Sequence, residues 1–445
     1  TSWLVRNHVG IEELGIPVVS IVQDYFLEDA QASGAAYGLP NPALAVTPEV
    51  FTTITAEQTR NAVDRIFGDI LAGLTKPMPE PRGEVVRRVA TRGPKDPLLE
   101  FTGSDLLDCL KKMNEGFLEW GWSDGFPLVP PTEGAVEEML RGTARAPEDV
   151  VVEKFVPGNA WATVRDIAVN AVMAGCRPEF LPVVLTAVEA MHHPEINLRM
   201  CTVSTGAHAP LFVVNGPVAG KIGINAGSCS LGNAGPGGLS FANVAIGRAV
   251  RLALMNVGGA YPGVLDQDTI GSPAKFSMVI AENERENPWE PYHVEKGFRS
   301  EDSTVTCFYG HSLIEIADLE SETADALMNT ISLRVIGIGQ TIFIPYSPVI
   351  LLSPAHAEIL SRDGWTKEDI RRYLFLHCSI SAERYRRSKS LAMGPARKWI
   401  DAADSQAQIH LFQRPEVIDV VVAGGTSGKS AAYLGLFPKP YPVKG

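Results

Sequence analysis

Apolar runs and helical periodicities alternate at the start of the chain. The run PVVSIVQ, which ends at Gln23, has the length and composition of a buried strand. Thr55 and Gln58 have the spacing of a capping box that opens an amphipathic helix. The predicted elements are the end of a helix at 6–14, a strand at 17–23, a helix at 25–37, a strand at 43–46 and a helix from 55 to 74. This alternation predicts a parallel α/β sheet over positions 1–75, although two strands make only part of such a domain.

The remainder of the chain predicts a second, larger domain of mixed α+β type. Residues 76–102 are rich in proline and charge and lack periodicity, which favours a linker, and the larger domain is expected to span residues 103–445. Ser104 is a candidate N-cap for its first helix. Further helices are predicted at 162–174, 178–191, 241–257, 354–362 and 366–378, and strands at 211–215, 333–338, 342–352 and 417–422.

The composition narrows the classes of function. The 445 residues are 45% hydrophobic and 20% charged, and the formal net charge of −12 disfavours binding to nucleic acid or to anionic membranes. No apolar run reaches the roughly 18 residues that span a bilayer. The six cysteines show no CxxC spacing, so we expect reduced thiols, a cytoplasmic location and no zinc site. A small organic molecule is therefore the expected ligand.

A glycine-rich segment, INAGSCSLGNAGPGG, precedes a predicted apolar helix. Glycine lets the backbone approach a ligand closely, and free N–H groups at the start of a helix attract anions and favour a thiolate. The segment predicts a ligand-binding loop with Cys229 as a candidate nucleophile, and a packed loop with an inert cysteine is the alternative. The candidate substrate-binding residues of this region are Asn215, in a preceding Asn-Gly-Pro turn, and Asn225, Gly227, Ser228 and Asn233.

An acidic and aromatic segment, AENERENPWEPYHVEKGF, supplies carboxylates close to an imidazole. Two prolines within it break any helix, which favours a shaped loop, and a charged surface loop is the alternative. Glu282, Glu284 and His293 are the candidate catalytic residues, with Asn283 as a substrate-binding residue, because such groups serve as general acids, general bases or clamps. A metal site would need a further histidine, such as His208, and no metal or other cofactor is predicted.

A second glycine-rich stretch, AGGTSGKS, ends at Ser430 and formally fits a relaxed phosphate-loop pattern. The short stretch that follows it contains Pro438, Pro440 and Pro442, so no helix is available to receive a phosphate. We therefore expect a glycine turn that contacts substrate or only shapes the backbone, and we do not expect nucleotide binding.

The opening stretch, TSWLVRNHVGIEELGIPVVSIVQDYF, resembles the region that follows the Gly-Ser-Cys motif of UGSC-family (seleno)proteins. Glu13-Leu14-Gly15-Ile16-Pro17 occupies the place of that family's Arg-Gly-Ile-Pro. The resemblance covers positions 1–75 and implies kinship with thiol-based reductase subunits and an Asp/Glu-racemase-like α/β fold. Residues 203–310 also resemble companions of UGSC proteins, for which no reaction is implied.

The motif that carries the reactive thiol or selenol in this family is absent from the sequence, and Cys229 lies in an unrelated Ala-Gly-Ser-Cys. The resemblance therefore implies either that a small partner chain carries the upstream Gly-Ser-Cys segment or that this copy lacks the nucleophile. The sequence begins with Thr1 and has no initiator methionine. We expect truncation, excision of the initiator methionine or a choice of numbering to account for this, and processing of a precursor is the alternative.

These observations lead to three hypotheses. The first is the large subunit of a processed, heteromeric enzyme of lyase or reductase type, which uses a thiol or an amino-terminal nucleophile to cleave a C–S, C–N or C–C bond in a small organic substrate. The second is a hydrolase or acyltransferase that uses the hydroxyl of Thr1, with the α-amine as base. The third is a substrate-binding or scaffold subunit without catalytic activity. An oligomer is expected in each case.

Overall fold

The computed structural model shows a mixed α/β protein. It describes residues 2–36, 38–49, 54–76, 94, 98–158, 160–196, 198–263, 265–266, 268–338, 346–387, 400–436 and 439–444. Thr1, most of the predicted linker and the first part of the predicted strand at 342–352 lie outside the described residues. Within them, every helix is too short or too polar to cross a membrane.

The amino-terminal segment contains two parallel strands and three helices, as the sequence predicted. Its elements are α1 (Ser2–Glu12), β1 (Ser20–Gln23), α2 (Leu27–Ala36), β2 (Leu44–Thr47) and α3 (Ala56–Thr75). β1 pairs with β2 in parallel. The predicted capping box of α3 is confirmed, since Thr55 and Gln58 each bond the other's backbone N–H. Val5, Val9 and Val22 are buried between the helices and the strands.

The larger region contains most of the helices. They are α4 (Leu106–Glu119), α5 (Glu133–Leu140), α6 (Val164–Met173), α7 (Leu181–Met191), α8 (Leu198–Val203), α9 (Pro217–Ile222), α10 (Phe241–Asn256), α11 (Tyr292–Glu295), α12 (Ala324–Ile338), α13 (Pro354–Arg362), α14 (Lys367–His377) and α15 (Ala382–Arg387). Asp105, and not the predicted Ser104, caps α4 through its side chain. α6, α7 and α10 pack together and supply much of the main hydrophobic core.

The strands of the larger region form two short pairs and one large mixed sheet. They are β3 (Val150–Phe155), β4 (Ala160–Thr163), β5 (Ala209–Asn215), β6 (Val279–Ala281), β7 (Thr304–Ala317), β8 (Tyr346–Leu352), β9 (Ser379–Ser381), β10 (Gln408–His410), β11 (Asp419–Val422), β12 (Lys429–Leu436) and β13 (Pro440–Pro442). Among the described residues, the large sheet has the order β11-β8-β12-β7-β5-β6, and β13 also pairs with β7.

The large sheet consists of two units with the same arrangement of strands. In one unit β5 and β6 are parallel and β7 runs antiparallel to β5; in the other, β8 and β11 are parallel and β12 runs antiparallel to β8. β7 and β12 join the units, and β7 changes partner near Ser312, which has a positive φ of 66°. The sheet curls so that the ends of β6 and β11 meet, where Asn283 N donates to Val422 O at 2.7 Å.

One predicted strand is wrong. Residues 333–338 form the last turns of α12 and not a strand. This short apolar run cannot by itself distinguish the two conformations, whereas the buried positions Leu327, Ile331 and Val335 recur at every fourth position and place a helix against the core.

Candidate active site

The carboxyl ends of the parallel strands β5 and β6 form the structural centre of the candidate site. β5 ends at Asn215, and Glu282 directly follows β6. Ligands of open parallel sheets bind outside such strand ends. Gly216 follows with a φ of 81°, and a side chain there would clash with the carbonyl of Asp302, so the turn that leads into α9 requires glycine.

Four loop segments converge at these strand ends, and we call them together the loop junction. They are residues 215–216, 224–229, 282–293 and 423–426. Asn283 Nδ2 donates to Gly424 O at 3.3 Å, and Gly424 N donates to Ala226 O at 2.8 Å. Gly425 packs so closely on Ser228 that a Cβ at position 425 would clash with its hydroxyl. The two glycine-rich segments are therefore in direct contact, although they lie far apart in the sequence.

Glu282 is a buried carboxylate at the base of the loop junction, with 4% of its surface exposed. Its Oε2 accepts hydrogen bonds from Asn215 Nδ2 and from Tyr292 N, the latter at 2.7 Å, and its Oε1 accepts from Asn287 Nδ2 at 2.8 Å. Burial raises the pKa of Glu282 to about 7, even though the charge of Lys367 and the hydrogen bonds from Tyr292 N and Asn215 act to lower it. The carboxyl therefore exists in both protonation states near neutral pH.

Glu284 lies beside Glu282 and shares a donor with it. Its Oε1 accepts from Asn215 Nδ2 at 3.1 Å and from Gly216 N at 2.7 Å. One amide nitrogen thus links two carboxylates, and the negative charge of Glu284 contributes to the raised pKa of Glu282. The side chain of Glu284 is 31% exposed, so this carboxylate connects the buried group to the protein surface.

His293 completes the group that the sequence predicted in the acidic segment. Its side chain is fully buried in α11, and its Nδ1 lies 3.7 Å from Glu284 Oε1. Among the described residues, neither ring nitrogen of His293 has a hydrogen-bond partner. The structure therefore brings Asn215, Glu282, Glu284 and His293 together, with Asn283 bridging to the second glycine-rich segment.

Asn225 fixes the shape of its own loop. Its Nδ2 donates to Ser228 O at 2.8 Å and to Ser240 Oγ at 2.9 Å, and its Oδ1 accepts from Gly227 N at 2.9 Å. These bonds engage both polar atoms of the side chain. The predicted binding residues Asn225, Gly227 and Ser228 are thus part of the loop junction, but the amide of Asn225 serves the loop itself.

Cys229 is the last residue of this loop segment. It is exposed and has a positive φ of 62°, and its carbonyl accepts a hydrogen bond from Ser240 Oγ at 3.0 Å. Ser240 also has a positive φ, of 59°. Non-glycine residues in this conformation are strained, and such strain concentrates at functional sites. Of the six cysteines, all of which are described, only Cys229 is exposed.

Two residues that the sequence suggested lie away from the loop junction. Asn233 lines a separate cavity at the amino ends of β5 and β6. His208 immediately precedes β5, with its ring 5.4 Å from that of His311, so the length of β5 puts it roughly 20 Å from the end where His293 lies. A metal site built from His208 and His293 is therefore ruled out, and the described residues contain no cluster of three or more potential metal ligands.

A buried ionic network behind the acidic segment was not predicted. Lys367 Nζ, from α14, donates to Glu290 O at 2.8 Å and to Glu295 Oε2 at 3.2 Å, and Lys296 forms an ion pair with Asp419 at 2.8 Å. These contacts hold the segment against α14 and β11. Local sequence patterns could not indicate them, because α14 lies far along the chain from the acidic segment that it contacts.

The AGGTSGKS stretch forms a turn that leads directly into β12, so a strand and not a helix follows its glycines. Thr426 Oγ1 donates to Glu286 Oε1 at 3.0 Å, which ties the turn to the acidic segment. Ser430 is buried, and its Oγ lies 2.6 Å from His356 Nδ1, while His356 Nε2 lies 2.9 Å from Asp318 O. This serine–histidine pair connects β12 to the start of α13.

Comparison with known proteins identifies the amino-terminal part of the chain. The model of the UGSC family matches residues 1–76. These residues are similar to that family, and we call them the UGSC segment. No curated protein and no solved structure matches the chain.

The UGSC segment contacts the larger region through its first helix. α1 lies against α8, and the residues that follow α8, Gly206 and Ala207, line the separate cavity. Within the segment, His8 Nδ1 lies 2.9 Å from Ser20 Oγ, which ties α1 to β1. The Gly-Ile-Pro turn that carried the family resemblance is largely exposed, including the side chain of Ile16.

Proposed function

We propose that the protein is an enzyme that acts on a small organic molecule at the loop junction, with Glu282 as the general acid and base. The observation that supports this most is the burial of the Glu282 carboxyl beside Glu284, which raises its pKa to about 7. A group with a pKa near the working pH donates and accepts protons most effectively. Buried, perturbed carboxylates at the ends of parallel strands are typical of active sites.

We propose that a thiol or selenol provides the nucleophile, in keeping with the UGSC segment. In the proposed step the thiolate forms a bond to a substrate carbon while the C–S, C–N or C–C bond to the leaving group breaks, and Glu282 gives its proton to the leaving atom. A Gly-Ser-Cys segment on a small partner chain is the proposed source of the thiol. The parallel β1 and β2, each followed by a helix, are consistent with a partial Asp/Glu-racemase-like domain.

The neighbours of Glu282 suit this role. Asn215 donates to both carboxylates, so a proton lost by Glu282 leaves a negative charge that the amide continues to stabilise. Glu284 reaches the surface and offers a route for that proton to solvent. The exposed Cys229, on the adjoining loop, is the candidate thiol of this chain itself.

A second candidate function, a binding subunit without catalysis, is favoured by one observation. The carboxylate of Glu282 accepts three hydrogen bonds from the protein, which is also how buried structural carboxylates are stabilised. In that case Glu282 holds the loops together and does not move a proton.

A turnover screen with two variants separates these functions. Small organic compounds with C–S, C–N or activated C–C bonds would be incubated with the protein and a thiol donor, and the products measured by mass spectrometry. Glu282→Gln keeps the shape of the side chain but cannot exchange a proton, so we expect a loss of turnover of at least about 100-fold. Glu153→Gln, at an exposed position of β3, is the matched control. Turnover by Glu282→Gln equal to that of the control would contradict the proposal, and binding without turnover in every variant would favour the binding subunit.

A further inference from the structure

A cavity of about 1010 Å³ opens at the amino ends of β5 and β6, and the proposed chemistry does not use it. Its walls come from residues 124 and 126, residues 206–207, the loop at 230–233, one face of α10, residues 271–274 and 276–279, and residues 311–313 of β7. This volume is at the upper end of the range for small-molecule sites. The cavity is therefore large enough to enclose most of a ligand of two or three rings.

The rim of the cavity concentrates exposed apolar side chains. Four large hydrophobic residues with more than a third of their surface exposed line it: Phe126, Leu231, Phe276 and Leu313. They come from four separate segments, and the rings of Phe126 and Phe276 meet edge to face at 5.2 Å. Apolar side chains that gather from distant segments into one concave surface are typical of ligand sites.

The charges in the cavity wall cancel. Arg248 Nε and Nη2 donate to the two carboxylate oxygens of Asp124 at 2.8 and 2.9 Å, and the Asp124 side chain is only 1% exposed. Among the described residues of the wall, the remaining ionisable side chain is that of His311. Burial lowers its pKa to about 4, so its imidazole is neutral at physiological pH. A charged ligand would lose its hydration here without meeting an opposite charge.

Hydrogen-bonding groups also line the cavity. Those described are the side chains of Ser230, Asn233, Asn243, Ser272, Ser277, Ser312 and His311. Ser312 has a positive φ at the point where β7 changes partner, and the β12 register shifts between Ala432 and Leu434. Irregular, strained strand positions of this kind occur where a strand presents side chains to a ligand.

We infer that this cavity is a second binding site, which takes an electrically neutral, aromatic or alicyclic molecule that carries at least one hydrogen-bonding group. The apolar rim selects the ring, the paired charges reject an ionised ligand, and the hydroxyl and amide groups of the wall bind the polar substituent. This site is independent of the catalytic role proposed for Glu282.

The first test compares two probes that differ mainly in charge. Binding of 2-naphthamide and of 2-naphthoate to the full chain at pH 7.5 would be measured by isothermal titration calorimetry. We expect the neutral amide to bind at least about tenfold more tightly than the anion, because the described part of the wall offers no unpaired cation. Equal or tighter binding of naphthoate, or no binding of naphthamide at millimolar concentration, would overturn the inference.

Substitutions locate the probe. Leu313→Trp fills the cavity at an exposed position that the fold tolerates, and we expect about a tenfold loss of naphthamide affinity. Leu319→Trp, at an exposed leucine outside the cavity, is the matched control and should bind as the unmodified protein does. Asp124→Asn leaves the charge of Arg248 unpaired, so naphthoate should gain affinity relative to naphthamide. Equal naphthamide binding by the two tryptophan variants would place the probe elsewhere and overturn the assignment of the site.

Discussion

The two ends of the β5–β6 pair differ in what holds them together. At the carboxyl end, hydrogen bonds between individual polar atoms hold the loop junction together. Asn215 Nδ2, for example, donates to both Glu282 and Glu284. At the amino end, the main feature is an open cavity. Its charged residues, Asp124 and Arg248, are paired with each other. The first region depends on individual polar atoms, whereas the second depends on shape and on exposed apolar surface.

One segment of chain serves both ends. The glycine-rich segment contributes Asn225 to Cys229 to the loop junction and Ser230 to Asn233 to the cavity wall. Asn243, buried in α10, stabilises both parts, since its Oδ1 accepts from Asn225 N at 2.9 Å and its Nδ2 donates to Ser230 O at 3.2 Å. We therefore expect a substitution that adds a charge to lower the free energy of unfolding strongly at the carboxyl end and weakly at the amino end.

The largest effect is expected for Asn215→Asp. This change places a third carboxylate between Glu282 and Glu284 and removes the amide nitrogen that links them, and position 215 is fully buried. We expect the free energy of unfolding at pH 8 to fall by about 4 kcal/mol, with partial recovery at pH 5, where the carboxyls take up protons. Urea unfolding at the two pH values measures this.

Asn233→Asp is the control at the other end of the strands, where the side chain is exposed in the cavity wall. It should change the free energy of unfolding by less than about 0.5 kcal/mol. If both variants lost the same stability, the proposed difference between the two regions would be wrong.

Glu282 makes the stability of the protein depend on pH. Its pKa rises from 4.5 in the unfolded chain to about 7 in the folded protein, because burial penalises the charged form. The folded state therefore binds the proton more tightly, and the stabilisation is complete below pH 4.5 and is lost as the pH rises towards 7. This corresponds to about 3 kcal/mol of the free energy of unfolding.

Glu282→Gln tests that prediction, since it removes the titrating group while keeping most of the hydrogen-bonding shape. The difference in unfolding free energy between the unmodified protein and this variant should shift in favour of the variant as the pH rises from 5 to 7.5, measured by urea unfolding across that range. Parallel pH profiles for the two proteins would show that the carboxyl titrates at its ordinary pKa.

The sequence predicted which residues form the loop junction better than it predicted how the four segments come together. Glu282, Glu284 and His293 were predicted because the acidic segment places carboxylates near an imidazole. Asn215 was predicted because it lies in an Asn-Gly-Pro turn, and the structure brings the four residues together. Their convergence with the second glycine-rich segment could not be predicted, because it depends on pairing between β7 and β12. β7 and β12 lie far apart in the sequence, so no local pattern could indicate that they pair.

Asn233 was predicted to line the same pocket, but the structure places it in the separate cavity. It lies close to Asn225 in the chain, and this proximity suggested a common site. The loop turns at Cys229, where the positive φ redirects the backbone, and so Asn233 enters the cavity. Cysteine seldom adopts this conformation, so the residue type did not indicate a turn at that position.

Asn243 contacts both regions, so the loss of its side chain should affect the loop junction and the cavity together. Asn243→Ala removes side-chain bonds to Asn225 and Ser230 and leaves buried backbone groups without partners. We expect a loss of about 2 kcal/mol in the free energy of unfolding and weaker binding of naphthamide in the cavity. Thermal unfolding and calorimetry measure the two effects. Unchanged naphthamide affinity in a destabilised variant would show that the cavity wall does not depend on this residue.

The smallest effect is expected at Cys229, between the two regions. Its backbone is in the left-handed conformation and its side chain is exposed, so replacing it removes little packing. Cys229→Gly relieves the steric cost of a Cβ at a positive φ, whereas Cys229→Ala retains that cost. We therefore expect the glycine variant to be more stable than the alanine variant by up to about 1 kcal/mol in urea unfolding. Alanine and glycine variants of equal stability would mean that the loop stores no strain at this residue, and the difference in path between Asn225 and Asn233 would then need another cause.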